Sequence, residues 1–393
     1  MMANGPASPR DRVRRAAGVP KSGGTAKRTD PFVPAGDEVG PSSSTGVPDS
    51  VSEAVRAALA AVVAGALLSA HQTERAIGAV LDGEATPAQL AGLLIGLRMR
   101  GESVEELTGF VRAMRARVLV VDAPDGTIDT CGTGGDVHHT FNISTATAIV
   151  TAAAGVPVAK HGNRAVSSLS GSSDVMSALG LRIDSTPEEA TTALHEDGFA
   201  YLHAPDFHPG MRHAGPVRRE LAVRTAFNLC GPLANPAFPR RQLLGVGDAA
   251  AAGHVAEVLL ALGTQRAFVV HGDRVDELPL DGSGVIHDVT PSGVVRRTIA
   301  PEDVGLSRAD TSTLVGGDPA QNAALIVAIL QGREQGPPRD VVALNAGAAL
   351  VAAGRADDIR EGVQHALSLI DSGAAHDRLE RLRLRSAATE GAA

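Results

Sequence analysis

Tryptophan is absent from this 393-residue chain, and aromatic residues of all kinds make up only 2% of it. Its core must therefore be built from alanine, valine and leucine, with helices approaching closely through small side chains. Cysteine is scarce too. Cys131 and Cys230 lack the spacing of a disulfide framework or a zinc site and suit a reducing cytoplasm. Long hydrophobic runs are missing: the longest uncharged, mainly apolar stretch, Ile143 to Ala159, contains Gly and Pro and is too short to span a bilayer. There is no apolar signal-peptide core. The net charge of −8 argues against a nucleic-acid binder. At 44% hydrophobic residues, the chain can hold two domains, or one large domain with an appendage.

Residues 1 to 49 are rich in Pro, Gly and Ser, lack apolar periodicity and read as a disordered tail. Up to Thr29 they carry seven basic residues and one acid, but no amphipathic helix of the kind a transit peptide needs. Residues 50–120 read as a helical domain. Ser50-Val51-Ser52-Glu53 and Ser103-Val104-Glu105-Glu106 are capping-box sequences. Thr86-Pro87 opens a helix that Gly101 closes, with Leu90, Leu93, Leu94 and Leu97 on one stripe. Helices near 206–226 are expected to pack on this domain.

From 121 to 385, helical segments alternate with short apolar runs. Strands are expected at Phe199–His203, Leu243–Gly247 and Ala267–His271. Helices are expected at 173–178, 187–197, 250–262, 319–331, 340–353 and 357–370. This alternation predicts an α/β fold: a small helical N-terminal domain plus a larger domain whose mostly parallel central sheet is flanked by helices. Residues 386–393 are expected to fray.

The stretch from Thr127 to Ser168 organises the rest. A β-branched run (127–130) feeds a glycine loop, Gly132-Thr133-Gly134-Gly135-Asp136. A polar hook (142–145) then leads into an alanine-rich helix that Ser144 or Thr145 could cap. A strand at Val156–Ala159 and a loop, Lys160-His161-Gly162-Asn163-Arg164, complete a βαβ crossover with both loops at one sheet edge. Ligands bind at that edge in open α/β sheets. The glycines let backbone N–H groups reach a phosphate, the helix N-terminus adds a positive dipole end, and Lys160 adds a full cation. A carboxylate such as Asp136 repels phosphate, so at this stage it makes sense only on sugar hydroxyls or near a metal ion. The implied ligand is a phosphorylated sugar with Mg²⁺.

These motifs resemble those of the anthranilate phosphoribosyltransferase family, which carries a G-T-G-G-D loop, an N-x-S-T hook and a K-H-G-N-R loop in this order and at this spacing. The likeness extends over residues 50 to 372 and takes in Arg218, the run from Arg224 to Pro236, and Asp276-Glu277. It implies transfer of the phosphoribosyl group of 5-phosphoribosyl 1-pyrophosphate to the amine of anthranilate, a step of tryptophan biosynthesis. It places the donor on Gly132, Thr133, Gly134, Gly135, Asp136, Thr140, Asn142, Ser144, Thr145 and Lys160. Anthranilate falls to Gly132, His161, Asn163 and Arg218, and two Mg²⁺ ions to Ser144, Asp276 and Glu277. Lys160, Asn163 and Arg218 carry the catalytic roles. The resemblance also implies a homodimer formed through the helical domain.

Residue chemistry agrees with several of these roles. An arginine fork matches a planar carboxylate, which lysine cannot do, and the resemblance selects Arg218 over Arg219. Adjacent carboxylates at a strand end can hold Mg²⁺ through water. Asn228 to Pro236 reads as a rigid structural turn. Cys230 has no adjacent base to make it a nucleophile, and His138-His139 lack a third metal ligand. The sequence departs from the family at Val137, His138, His139 and Ala222, where smaller residues, an amide or glycine are usual, and in a shortened loop before Asp276. A β-branched Val137 is strained if its φ must be positive. The rivals are a phosphoribosyltransferase for another aromatic acid, a pyrimidine nucleoside phosphorylase and a nucleic-acid-binding relative. The K-H-G-N-R form and Arg218 argue against the phosphorylase, and the acidic body against the nucleic-acid binder.

Overall fold

Among the described residues four helices come first: α1 (Val51–Val63), α2 (Ala70–Leu81), α3 (Pro87–Arg100) and α4 (Val104–Arg115). The computed structural model describes residues 51–390 except Gly135, Val137, residues 165–169 and Arg274, so the tail and the Ser50 cap lie outside it. Thr86 and Ser103 close reciprocal capping boxes with Gln89 and Glu106, and Gly101 ends α3 at φ +90°. Glu106 does more than cap. Only 1% exposed, it accepts the N–H groups of Leu68 and Ser103, each at 2.9 Å, and pairs with Arg100. One buried carboxylate thus ties the α1–α2 link to the end of α3 and the start of α4.

The chain then enters the sheet through β1 (Ile128–Gly132), α5 (Ile143–Ala153) and β2 (Val158–Gly162). It continues with α6 (Ser172–Ala178), α7 (Pro187–Asp197), β3 (Phe199–His203), α8 (Ala204–Phe207), α9 (Met211–Leu221) and α10 (Ala226–Cys230). Next come β4 (Arg241–Gly245), α11 (Ala249–Ala261), β5 (Arg266–His271), β6 (Gly284–Thr290) and β7 (Gly293–Ile299). Four helices finish the chain: α12 (Pro319–Leu330), α13 (Pro337–Ala352), α14 (Ile359–Asp371) and α15 (Ala374–Glu390).

The seven strands lie in the order β3-β2-β1-β4-β5-β6-β7. The first five are mutually parallel, and β6 and β7 add an antiparallel hairpin. From β1 the chain winds outward to β3, then returns to the other side of β1 as β4. The switch point therefore falls between β1 and β4, where open α/β sheets place their ligands. One face of the sheet is covered by α5 and the C-terminal helices, the other by the helical domain, α10 and α11. Helix α9 packs against α2 and α3. Among the described residues no helix is long and apolar enough to cross a membrane.

Several elements differ from expectation. The strand expected at 156–159 is β2 at Val158–Gly162, so Lys160 and His161 are strand residues, held by pairing with β3. Asn142, not Ser144 or Thr145, is the N-cap of α5, and Thr145 is fully buried. Asn228 to Pro236 is a short helix and a 3₁₀ turn, because its apolar residues are buried between helical domain and sheet. The β6–β7 hairpin was not expected, since residues 295–298 of β7 are exposed on both faces and include Arg296 and Arg297. Nor was α15, whose alternating Leu and Arg hide a helical face. Ser386, expected to fray, accepts the Arg182 N–H and donates to the Leu382 carbonyl.

Small residues permit the close contacts that the scarcity of aromatics demands. Helices α13 and α14 touch through Gly347 and Gly362: a Cβ on Gly362 would lie 2.4 Å from the Gly347 carbonyl oxygen. Backbone cannot yield as a flexible side chain would, so Gly362→Ala should cost about 1–3 kcal/mol, read as a lower urea midpoint at unchanged slope. Gly282→Ala, where a Cβ meets nothing within 4 Å, is the control and should shift stability by less than about 0.5 kcal/mol.

Candidate active site

The glycine loop and the acidic pair meet at the switch point. Gly132 ends β1 beside Gly245, which ends β4. A Cβ on Gly132 would sit 2.3 Å from Asp276 Oδ2, and one on Gly245 would sit 1.5 Å from the Asp276 carbonyl oxygen. Glycine at both positions lets the 276–277 segment lie across the strand ends. The Gly134 N–H, on a residue with φ +65°, donates to Asp276 Oδ2 at 3.0 Å. The Thr133 N–H donates to the Gly245 carbonyl, and the Thr133 carbonyl accepts from Arg224 at 3.0 Å.

Asp136 has a role the sequence reading did not offer. Its carboxylate accepts the His138 N–H, the Thr140 N–H and the Thr140 hydroxyl, each at 2.7 Å, and so folds its own loop. Gly135 and Val137 lie outside the described residues, as does the strain expected at Val137. Asn142 braces the hook to α12, accepting from Asn322 Nδ2 at 3.0 Å and donating to the Ser170 carbonyl. The Thr145 hydroxyl is buried with no hydrogen-bond partner among the described residues.

Lys160 is only 2% exposed. Its ammonium donates to the Thr130 carbonyl at 2.6 Å and to Ser144 Oγ at 3.3 Å. Burial lowers its pKa, and Asp129, Cys131, Glu277 and Asp276 oppose that shift. Burial and the neighbouring Asp276 push Glu277 well above the carboxylate range, though the Ser144 N–H donates to it. Asp276 is raised by burial and by Asp136. Behind them lies Asp129, wholly buried and pushed up to about 6. Asp129, Asp276 and Glu277 thus act on one ammonium, with Asp136 and Arg224 acting on Asp276, a surplus of negative charge that a cation would relieve. Their donors are hard oxygens, and no group of three His, Cys, Asp or Glu among the described residues is placed to hold a bare ion. The site fits a hydrated divalent cation such as Mg²⁺, which keeps its own waters. Burial pushes the Cys131 and Cys230 thiols up, so neither is a thiolate nucleophile.

The second loop carries the groups expected to face the acceptor. His161 is buried and neutral, its pKa driven well down by burial and by His208, whose ring lies 5.2 Å away. His208 itself is pushed down to about 4 by burial. The Nε2 atoms of both rings are buried without a partner among the described residues. Asn163 is exposed, and its carbonyl accepts the Ser173 N–H. Arg218, in the last turn of α9, is half-buried with its guanidinium 5.0 Å from the centre of the Phe227 ring. It has no ion pair among the described residues, and burial lowers its pKa. Arg219 is exposed.

Sequence reasoning assigned no site role to Asp129, His208, Arg224 or Asn235, although the last two lie in the run from Arg224 to Pro236 that carries the resemblance. The one available signal was a carboxylate at position 129 inside an apolar strand, where a charge needs a buried partner.

Comparison with known proteins places the chain in a family. The glycosyl transferase family a/b domain matches residues 124–376, and its helical bundle domain matches residues 56–118. The anthranilate phosphoribosyltransferase of Thermomicrobium roseum is 50% identical over 331 residues, covering 83% of this chain and 95% of that protein. The crystal structure of the Thermus thermophilus enzyme of that name aligns with a TM-score of 0.79 at 43% identity, covering 83% of this chain and 98% of that one. The chain belongs to the anthranilate phosphoribosyltransferase family. The Saccharomyces cerevisiae anthranilate phosphoribosyltransferase in complex with PRPP and Mg shares the fold, at TM-score 0.79 and 24% identity over 86% of this chain and 98% of that one.

Two departures from the anthranilate phosphoribosyltransferase pattern, His139 and Ala222, stand at positive φ, 53° and 52°. Ala222, where that family usually has glycine, is the C-cap of α9 at φ 52°, in the left-handed region. A left-handed alanine costs about 1–2 kcal/mol, and glycine returns about 0.5–1 kcal/mol of that through greater freedom in the unfolded chain. Ala222→Gly should therefore stabilise the protein by roughly 0.5–1 kcal/mol, read as a higher urea midpoint.

Proposed function

We propose that this protein transfers the phosphoribosyl group of 5-phosphoribosyl 1-pyrophosphate to the amine of anthranilate, releasing pyrophosphate and forming N-(5-phosphoribosyl)anthranilate for tryptophan biosynthesis. The observation that carries this reading is the convergence of glycine loop, carboxylate pair and buried lysine at the switch point, with the Gly134 N–H on Asp276 and Lys160 on Ser144. Glycosyl transfer of this kind passes through an oxocarbenium-like state. An aromatic amine is already nucleophilic when neutral, so the protein's work is to neutralise the departing pyrophosphate and to hold the amine in line.

On this reading the donor lies along residues 132–136, Thr140, Asn142, Ser144, Thr145 and Lys160. The loop N–H groups and the Lys160 ammonium face its phosphates. Ser144, Asp276 and Glu277 hold two Mg²⁺ ions, which supply positive charge for the leaving group. Arg218 pairs with the anthranilate carboxylate, Asn163 accepts from the amine, and neutral His161 lines the pocket with Gly132. The stacking of Arg218 on Phe227 supports the choice of Arg218 over Arg219. The helical domain, residues 50–120, forms the homodimer contact, a reading supported by exposed Val63, Leu67 and Met99. Two buried free thiols suit a cytoplasmic setting.

Two experiments test the assignment. Replacing both Asp276 and Glu277 by Ala should abolish Mg²⁺-dependent turnover, followed by loss of anthranilate fluorescence, while circular dichroism stays native. Unchanged activity at limiting Mg²⁺ would remove the pair from the site. Arg218→Ala should weaken anthranilate binding by about 1.5–3 kcal/mol, a ten- to hundredfold rise in acceptor KM, with donor KM nearly flat. Lys160→Ala should do the reverse and lose more turnover, because its charge also faces the leaving group. A rise in donor KM alone for Arg218→Ala would give the carboxylate role to another cation.

A further inference from the structure

β1 and β2 are neighbours that pair only at Ile128 and Val158. β1 nevertheless stays paired with β4 through Gly132, and β2 with β3 through Gly162. Had the parallel ladder continued, the Thr130 N–H would donate to the Ala159 carbonyl and the His161 N–H to the Thr130 carbonyl. Side chains take these places instead. The Ala159 carbonyl accepts from Asn235 Nδ2 at 2.9 Å, the His161 N–H donates to Asp129 Oδ1 at 3.2 Å, and the Thr130 carbonyl accepts from Lys160 Nζ at 2.6 Å. The Asn235 amide is fully used: Nδ2 also donates to Asp129 Oδ2 at 2.9 Å, and Oδ1 accepts the Ala237 N–H at 2.8 Å. Both residues are almost completely buried.

We propose that Asp129 and Asn235 are positioning residues, a side-chain wedge that holds the C-terminal halves of β1 and β2 apart and so sets the opening between the Gly132–Gly134 loop and the Lys160–Asn163 end of β2. This rests on the phosphoribosyl-transfer reading of that site. Neither residue touches substrate in it. The wedge acts through the His161 N–H and through the strand that carries Lys160; of the four backbone groups those ladder bonds would have used, the Ala159 carbonyl, the His161 N–H and the Thr130 carbonyl keep a partner in the gap. With the wedge weakened, the two strand ends are free to close toward each other, and a shift of that kind between the two loops costs turnover more than it costs folding.

Exchange of the two side chains separates this role from simple packing. Asp129→Asn keeps an acceptor for His161 but turns an amide donor toward that of Asn235, and Asn235→Asp sets two carboxylates face to face. Each single variant should lose roughly 10–100-fold in kcat/KM per folded molecule, well below its melting temperature. The double variant restores a donor–acceptor bond between the two positions but not the donor to the Ala159 carbonyl, so it should recover part of the loss relative to Asn235→Asp. Hydrogen exchange over residues 158–163 should quicken in Asp129→Asn while α2–α4 keep wild-type protection, a readout that needs neither turnover nor a folded Asn235→Asp. Single variants with wild-type kcat/KM and only lower melting temperatures would overturn the proposal. So would a double variant no better than the worse single, or unchanged exchange at 158–163. A wild-type protein that fails to consume anthranilate would instead sink the functional reading, and the exchange measurement would still decide the wedge.

Discussion

Charge buried at the strand ends is the constraint around which this molecule is arranged. Lys160 is almost fully buried, and Asp129, Asp276 and Glu277 act on it electrostatically, with Asp136 beside the acidic pair. No one partner neutralises the set. Burial depresses the lysine and raises the three buried carboxylates. Such a cluster is costly in a protein interior unless something else enters it. A phosphorylated ligand with a hydrated cation carries both signs of charge and so would answer both halves of the cluster.

Holding that cluster requires backbone to come very close to backbone. Gly132 and Gly245 allow the Asp276 segment to lie on the sheet edge, and Gly347 and Gly362 allow α13 to meet α14. Aromatic bulk would obstruct contacts of this kind, and the chain has little of it. The Phe227 ring, one of the few, lies under the Arg218 guanidinium and edge-on to Phe110 of the helical domain. Arg218 is thereby coupled to the helical domain's core.

Much of this was legible in the linear pattern. Caps at Thr86 and Ser103, the stop at Gly101 and the strand from Phe199 to His203 are local events, governed by a few adjacent residues, and they lie where the sequence marks them. The glycine loop and the lysine that returns beside it together implied a phosphorylated ligand, while the acidic pair took its metal reading from the resemblance. Less legible were β7, whose exposed, arginine-bearing run conceals its pairing, and α15, whose Leu379 and Leu382 find their apolar partners only in the folded chain.

The sequence by itself determined which functional groups are available and the loops that carry them, because glycine's freedom, lysine's charge and arginine's fork are properties of single residues. Tertiary structure alone decided what those groups face. Lys160 was read as a loop cation, yet pairing with β3 makes it a strand residue whose ammonium caps a carbonyl of β1. Asp136 was read as a ligand group, yet it first folds its own loop. Asn235 was read as part of a turn, yet it bonds Asp129, 106 positions earlier in the chain. A hydrogen bond across such a distance leaves no local periodicity to detect. It exists only once burial has removed water as the competing partner.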